Sequence, residues 1–330
     1  MLGMGRREFI ALLGGATVWP LAASAQRSTT LPRIGVLWHA GSAEQEGSNF
    51  TELVQGFTDL GYVDGRNIIL EHRFPNELPD RFKNMAAELV DSKVDVLISV
   101  GSNAAPYAKN ATTTIPVIFV SVSDPIGSGL VKSIARPEAN VTGISNSASD
   151  LIGKRLELLK EMISGLSRVA LLVNSSAKVT PMYVAATEAA AARLSLSHRT
   201  FPWSSPEELD RAFEAMKLAN IQALMTVPDR LAFTHRDMIA RLAIGQRIPL
   251  SVWSRETFKA GALMAYGAEP NAIYRRAAVY VDKILHGRKT GELPVEGPTK
   301  FEFLIDLKTA KAIGLAVPPT LLTRADEVIE

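Results

Sequence analysis

From Pro32 onward, short apolar runs rich in β-branched residues alternate with amphipathic stretches of helical length. Ile34 to Trp38 reads as a buried strand. Phe50, Leu53, Val54, Phe57 and Leu60 recur at helical spacing, with Gly61 where a C-terminal cap belongs. Ile68 to Glu71 is a second strand, introduced by the turn-like Val63-Asp64-Gly65-Arg66-Asn67. Phe82, Met85, Ala86, Leu89 and Val90 mark the next helix. Strands follow at Val94 to Val100, Val117 to Val122 and Val141 to Ile144, with short helices expected near Ala104 to Asn110 and Leu130 to Ala135. The rhythm then restarts. Helices at Ile152 to Ile163, Tyr183 to Leu194, Glu207 to Ala219 and Leu231 to Gln246 lead to strands at Val169 to Val173, Ser197 to Phe201, Ala223 to Val227 and Leu250 to Trp253.

Such alternation over a whole chain implies parallel sheets covered by helices on both faces. Two successive series of similar size imply an α/β protein of two Rossmann-like lobes, with residues 32–145 opening one and 146–254 the other. The tail starts no third series. Its strand-like segments Ala262 to Ala265 and Phe301 to Ile305, and its helix Ile273 to Leu285, are expected to return to the lobes. Residues 255–297 are assigned to the first lobe and 298–330 to the second. A chain that crosses more than once makes a hinge of several strands, which permits closure about a cleft.

The first 26 residues say where the chain works. Arg6-Arg7-Glu8-Phe9 precedes an apolar run from Phe9 to Val18, and small residues end in Ala23-Ser24-Ala25. These are the parts of a secretory signal peptide cleaved after Ala25, too short to span a bilayer. The paired arginines further resemble a twin-arginine signal. The expected location is a periplasm. The chain has no cysteine, which excludes disulfides, thiolate metal sites and a lipid anchor at the cleavage point. Removing Arg6, Arg7 and Glu8 takes +1 from the formal +2, leaving about +1, a balance that speaks against a nucleic-acid partner.

In open parallel sheets, ligands sit beyond the carboxyl ends of the strands. The residues there supply the candidate ligand-binding set: His39, Ser102, Asn103, Ser123, Asp124, Asn174, Asp229, Trp253 and Tyr266. Trp38 is a further aromatic at a strand end. Ser102 and Ser123, with helix N-termini, suit a carboxylate; Asp124 or Asp229 suits an amine; Trp253 or Tyr266 suits an apolar or flat part. Ser, Asn and Asp in such places are also preferred helix caps whatever the function.

Catalytic and cofactor motifs fail. Gly127-Ser128-Gly129 lacks the third glycine of a dinucleotide loop, and Gly143-Ile144-Ser145-Asn146-Ser147 misses the nucleophile elbow at its last position. His39, His72, His198, His235 and His286 form no pair at helical metal-ligand spacing. The expectation is no enzyme, no metal and no cofactor.

Several longer stretches point to one family. They include Gly61-Tyr62-Val63-Asp64-Gly65-Arg66-Asn67, Asp124-Pro125-Ile126-Gly127-Ser128-Gly129-Leu130-Val131 and Ala135-Arg136-Pro137-Glu138-Ala139-Asn140-Val141-Thr142-Gly143. Lys154-Arg155-Leu156-Glu157-Leu158-Leu159-Lys160, Tyr280-Val281-Asp282-Lys283-Ile284-Leu285 and Lys308-Thr309-Ala310-Lys311-Ala312-Ile313-Gly314-Leu315 extend the match. Together they resemble ABC transporter substrate-binding proteins of the tryptophan/tyrosine-binding type, apart from Glu138-Ala139, where many relatives carry Gly-Gly. The resemblance implies a type I periplasmic-binding fold, a small amino-acid-like or other small polar or aromatic ligand, and delivery to an inner-membrane ABC permease by a monomer. A ligand-sensing protein for a membrane receptor is the alternative, and an exported hydrolase stands behind it.

Overall fold

The computed structural model describes residues 31–137 and 139–330, so the signal-like segment 1–25 lies outside the described residues. The first series contains β1 (Arg33–Leu37), α1 (Ala43–Glu46), α2 (Ser48–Asp59), β2 (Ile69–Arg73), α3 (Pro79–Asp91), β3 (Val96–Val100), α4 (Ala105–Ala111), β4 (Val117–Val122) and β5 (Val141–Ser145). Its five strands form one wholly parallel sheet in the order β2-β1-β3-β4-β5.

The second series contains α5 (Ala148–Met162), β6 (Arg168–Asn174), α6 (Thr180–Arg193), β7 (Ser197–Trp203), α7 (Pro206–Leu218), β8 (Ala223–Thr226), α8 (Arg230–Thr234), α9 (Arg236–Gly245), β9 (Leu250–Val252) and α10 (Arg255–Phe258). The tail adds β10 (Met264–Ala268), α11 (Pro270–Leu285), β11 (Phe301–Asp306), α12 (Leu307–Ile313), α13 (Pro319–Leu322) and β12 (Glu327–Ile329). The second sheet has seven strands in the order β12-β11-β10-β9-β8-β6-β7, with only the β10–β11 pair antiparallel.

The strands read as continuous apolar runs because helices cover both faces. In β4, Ile118 and Val120 join the layer under α11 with Tyr274, Ala277 and Val281, while Val117 and Phe119 join the opposite layer with Phe82, Leu89 and Ala108. The second sheet repeats the plan: Leu171 and Val173 face Leu156 and Leu159 of α5, and Ala170 and Leu172 face Leu209 and Phe213 of α7. Two buried layers per sheet make each lobe a three-layer sandwich.

The tail returns to the lobes with a boundary later than expected. The sequence rhythm places residues 255–268 with the first lobe, but β10 lies inside the second sheet, parallel to β9 and antiparallel to β11. Met264 and Ala265 are buried, which requires neighbours on both sides of the strand. The return begins with α11, which packs on α2, β4 and β5. Three stretches therefore cross between lobes: Ser145 to Ala148, Ala268 to Pro270, and Gly297 to Phe301. They are tied together, because Ser145 N donates to Glu296 O (2.8 Å), Glu296 N to Gly143 O (3.1 Å) and Glu269 N to Lys300 O (3.1 Å).

Two other local expectations change. Leu130 to Ala135 is not a helix. Asp124 Oδ1 accepts from Ile126 N and Gly127 N, Gly129 takes φ +70°, and Pro125 O accepts from both Leu130 N and Val131 N, so the segment winds through turns. The long helix Leu231 to Gln246 divides at His235, whose backbone (φ −103°, ψ 19°) departs from helical geometry, ends α8 and precedes α9.

Candidate functional site

The carboxyl ends of both sheets open on one cavity of about 360 Å³. On the first lobe, the loop after β1 places His39 between two glutamates. Nε2 lies 3.2 Å from Glu46 Oε2 and Nδ1 lies 3.3 Å from Glu77 Oε1. Glu46 ends α1 and is only 3% exposed; its Oε1 accepts from Ala40 N (2.8 Å) and His39 N (3.3 Å). Glu77 stands in a tight bend, where Asn76 and Glu77 both take φ 58° and the Glu77 N–H donates to His39 O. Its Oε2 accepts from Asn103 Nδ2 at 2.9 Å. Burial pulls the His39 pKa down, but Glu46 and Glu77 outweigh it and leave the ring more basic than usual.

After β3 and β4, Ser102 and Ser123 form a hydroxyl chain. Ser102 Oγ accepts from Ser123 N (3.1 Å), and Ser123 Oγ lies 2.6 Å from the Tyr183 hydroxyl of α6 on the other lobe. Further polar contacts span the gap. Arg230 Nη1 donates to Gln45 O (2.9 Å) and Ser48 Oγ to Glu256 Oε1 (3.3 Å). The lobes thus meet around the cavity.

On the second lobe, Asp229 caps α8. Its Oδ1 accepts from Ala232 N and its Oδ2 from Asn174 Nδ2, both at 3.1 Å. Burial raises the Asp229 pKa, the backbone and Asn174 hydrogen bonds oppose the rise, and Glu77 across the gap adds to it. Trp253 and Tyr266 line the same wall. Tyr266 is stacked on Phe301 at 6.1 Å and 10°. β10 presses against Trp253 so closely that a Cβ on Gly267 would lie 1.8 Å from Trp253 O.

Seven of the nine sequence-derived candidates line this cavity: His39, Ser102, Asn103, Ser123, Asp229, Trp253 and Tyr266. Asp124 does not. Its carboxylate is spent on the turn at Ile126 and Gly127. Asn174 lines a neighbouring chamber of about 500 Å³ and reaches the cavity only through Asp229. Trp38 is fully buried core, its Nε1 donating to His72 Nδ1 at 3.0 Å.

The largest omission is Arg155. It lines the cavity from α5, is 2% exposed, and donates from Nη2 to Ser251 O (2.7 Å) and from Nε to Ser251 Oγ (3.3 Å). Among the described residues no carboxylate lies within 4.0 Å of it. Burial lowers its pKa to about 9, which leaves it charged at neutral pH. A signal existed: Arg155 falls three residues after Ile152 and four before Leu159, on the apolar face of α5. Glu46, Glu77 and Tyr274 were also missed, because they come from a helix end, a bend and a helix of the returning tail rather than from strand ends.

A buried cation and several acids line one cavity between the two lobes. Residues 46–329 match the family described as ABC transporter substrate binding protein. The chain belongs to that family. It is similar to the tyrosine-binding protein of Clostridioides difficile (strain R20291), at 27% identity over 263 residues, covering 79% of this chain and 75% of that one. Two solved structures share the fold across 91% of this chain and 100% of theirs. One is a conserved domain protein from Vibrio cholerae (TM-score 0.84, 22% identity), the other an ABC domain in complex with L-Trp from Streptococcus pneumonia (0.82, 23%). The family gives the cleft of this substrate-binding protein its general role, and the type I periplasmic-binding fold supplies the two lobes that surround it.

Proposed function

We propose that this chain is the extracytoplasmic receptor of an ABC importer, holding a small amino-acid-like ligand between two closing lobes and presenting it to an inner-membrane permease. One observation carries the ligand class: Arg155 is a buried guanidinium lining the cavity with no acid beside it among the described residues. Burying a charge without a partner is costly, and a ligand carboxylate removes that cost. Asp229 and Glu77 offer acceptors for an amine, Ser102 and Ser123 offer hydroxyls, and Trp253 and Tyr266 offer a flat wall. The tyrosine-binding relative and the L-Trp-bound neighbour favour an amino acid.

Residues 1–25 act as an export signal in this reading, with Arg6-Arg7 directing the folded chain through the twin-arginine route. The mature protein works as a monomer, its lobes rocking on the three crossings. The test is a thermal-shift and calorimetry screen of the mature chain against amino acids, organic acids and sugars. A ligand at 100 times its Kd adds about 2.7 kcal/mol of stability. Amino acids should stabilise the protein and remain chemically unchanged; stabilisation only by neutral sugars, or turnover of the bound compound, would overturn the proposal.

A further inference from the structure

We infer that Ser251 is a positioning residue of the ligand site: it occupies one edge of the Arg155 guanidinium and leaves the terminal edge to take a ligand carboxylate end-on. This rests on the amino-acid-receptor reading and adds to it the direction from which the carboxylate arrives and the residue that sets it.

A guanidinium is a planar fork of five N–H donors. Nε and Nη2 share its side edge; Nη1 and Nη2 share its terminal edge. Arg155 Nε donates to Ser251 Oγ (3.3 Å) and Nη2 to Ser251 O (2.7 Å), so a single residue grips the whole side edge. Ser251 is fully buried in β9, paired with Met225 of β8 and Met264 of β10. The sheet fixes Ser251, and two contacts rather than one fix the plane of the fork.

The other terminal nitrogen is left over. Among the described residues Nη1 makes no hydrogen bond, and no carboxylate lies within 4.0 Å of Arg155. Nor is Nη1 sealed off without a partner, as His39 Nδ1 and Trp203 Nε1 are. It therefore opens on the cavity that Arg155 lines. Ala148, Leu151 and Arg155 recur at helical spacing and all line that cavity, so α5 presents one face to it. From β9, Ser251 holds the fork, and Trp253, two residues on, lines the same cavity.

A carboxylate pairs best with two parallel N–H groups of one guanidinium edge. The side edge is taken, so Nη1 and the second hydrogen of Nη2 are the pair on offer. An amide in place of the carboxylate brings one acceptor oxygen and no charge. A lysine in place of Arg155 brings a point charge and no fork.

The experiment is calorimetry on the mature chain with L-tyrosine, L-tryptophan, L-leucine and L-glutamate, each beside its α-amide. The parent should favour the acid. Ser251→Ala should weaken binding of the acid by about fivefold, the worth of one hydrogen bond, and leave the amide nearly unchanged, so the acid-to-amide ratio narrows. Arg155→Lys should narrow it by about tenfold or more although the charge is kept, and it keeps the test informative if Ser251→Ala does not fold. A lower melting temperature in Ser251→Ala with an unchanged ratio would make Ser251 purely structural and overturn the inference. An unchanged ratio in Arg155→Lys, or equal affinity of the parent for acid and amide, would do the same. The receptor reading would survive each of these. Binding of none of the amino acids or amides to the parent would overturn both.

Discussion

The two lobes offer the same architecture to the cavity but hold their charges by different means. In the first lobe the acids are fixed locally. Glu46 is gripped by amides six and seven residues away, and Glu77 donates its own N–H to His39 O. In the second lobe the cation is fixed at long range, by Ser251 at 96 residues' separation from Arg155. The sheets differ in the same sense: one is built from a single run of chain, the other from two runs joined through an antiparallel pair. The comparison teaches that the first lobe's acids belong to its loops, whereas the second lobe's cation depends on α5 bringing Arg155 within reach of Ser251 on β9. It also predicts which substitutions touch binding alone and which touch folding.

The largest effect should come from Arg155→Met. Losing one partner of a buried charge pair costs about 2–5 kcal/mol, so affinity for a carboxylate ligand should fall by about 30-fold or more in calorimetry. Ligand-free thermal unfolding should change far less, because an apolar chain relieves the burial of an unmatched charge. A large loss of ligand-free stability with affinity unchanged would make Arg155 a structural residue and break the comparison.

A matched pair of glycines sharpens it. A Cβ on Gly143 would lie 2.1 Å from Phe119 O in the first sheet, and one on Gly267 would lie 1.8 Å from Trp253 O in the second. Each alanine variant should lose about 1–3 kcal/mol in chemical denaturation through overpacking. Only Gly267→Ala displaces a cavity wall, so only that variant should also bind ligand more weakly once folded.

Tyr183→Phe removes the 2.6 Å link between Ser123 and the second lobe. A hydrogen bond contributes about 1 kcal/mol, so ligand affinity should drop by about fivefold through a less favoured closed form. Unchanged affinity, with scattering profiles like those of the parent, would show that the link plays no part in closure.

The smallest effect concerns pH. The folded His39 pKa is raised, so its stabilising contribution is complete below its unfolded value, about 6.5, and is lost as pH rises through the folded value. The melting-temperature gap between the parent and His39→Gln should therefore be wider at about pH 5.5 than at about pH 8.5. A gap that widens with rising pH would refute the pairing with Glu46 and Glu77.

Much of the site was legible because strand ends in parallel sheets are where loops must gather, and the runs ending at Leu37, Val100, Thr226 and Val252 are unmistakably apolar. That logic found His39, Ser102, Asp229 and Trp253. It erred at Asp124, since a carboxylate before a turn can serve its neighbours' N–H groups as readily as a ligand. It missed Arg155, since helical spacing placed a charge on an apolar face without saying which strand would meet it.

By itself the sequence determined the α/β alternation, the pairing of two lobes and the set of strand-end loops, because periodicity and turn chemistry are local properties of a chain. Only the tertiary structure decided which loops face one another, that β10 stays with the second sheet, and that α5 brings Arg155 into the cavity that Glu46, Glu77 and Asp229 also line. Those choices depend on contacts between residues tens to hundreds of positions apart, where burial and charge act through space and leave no periodic trace.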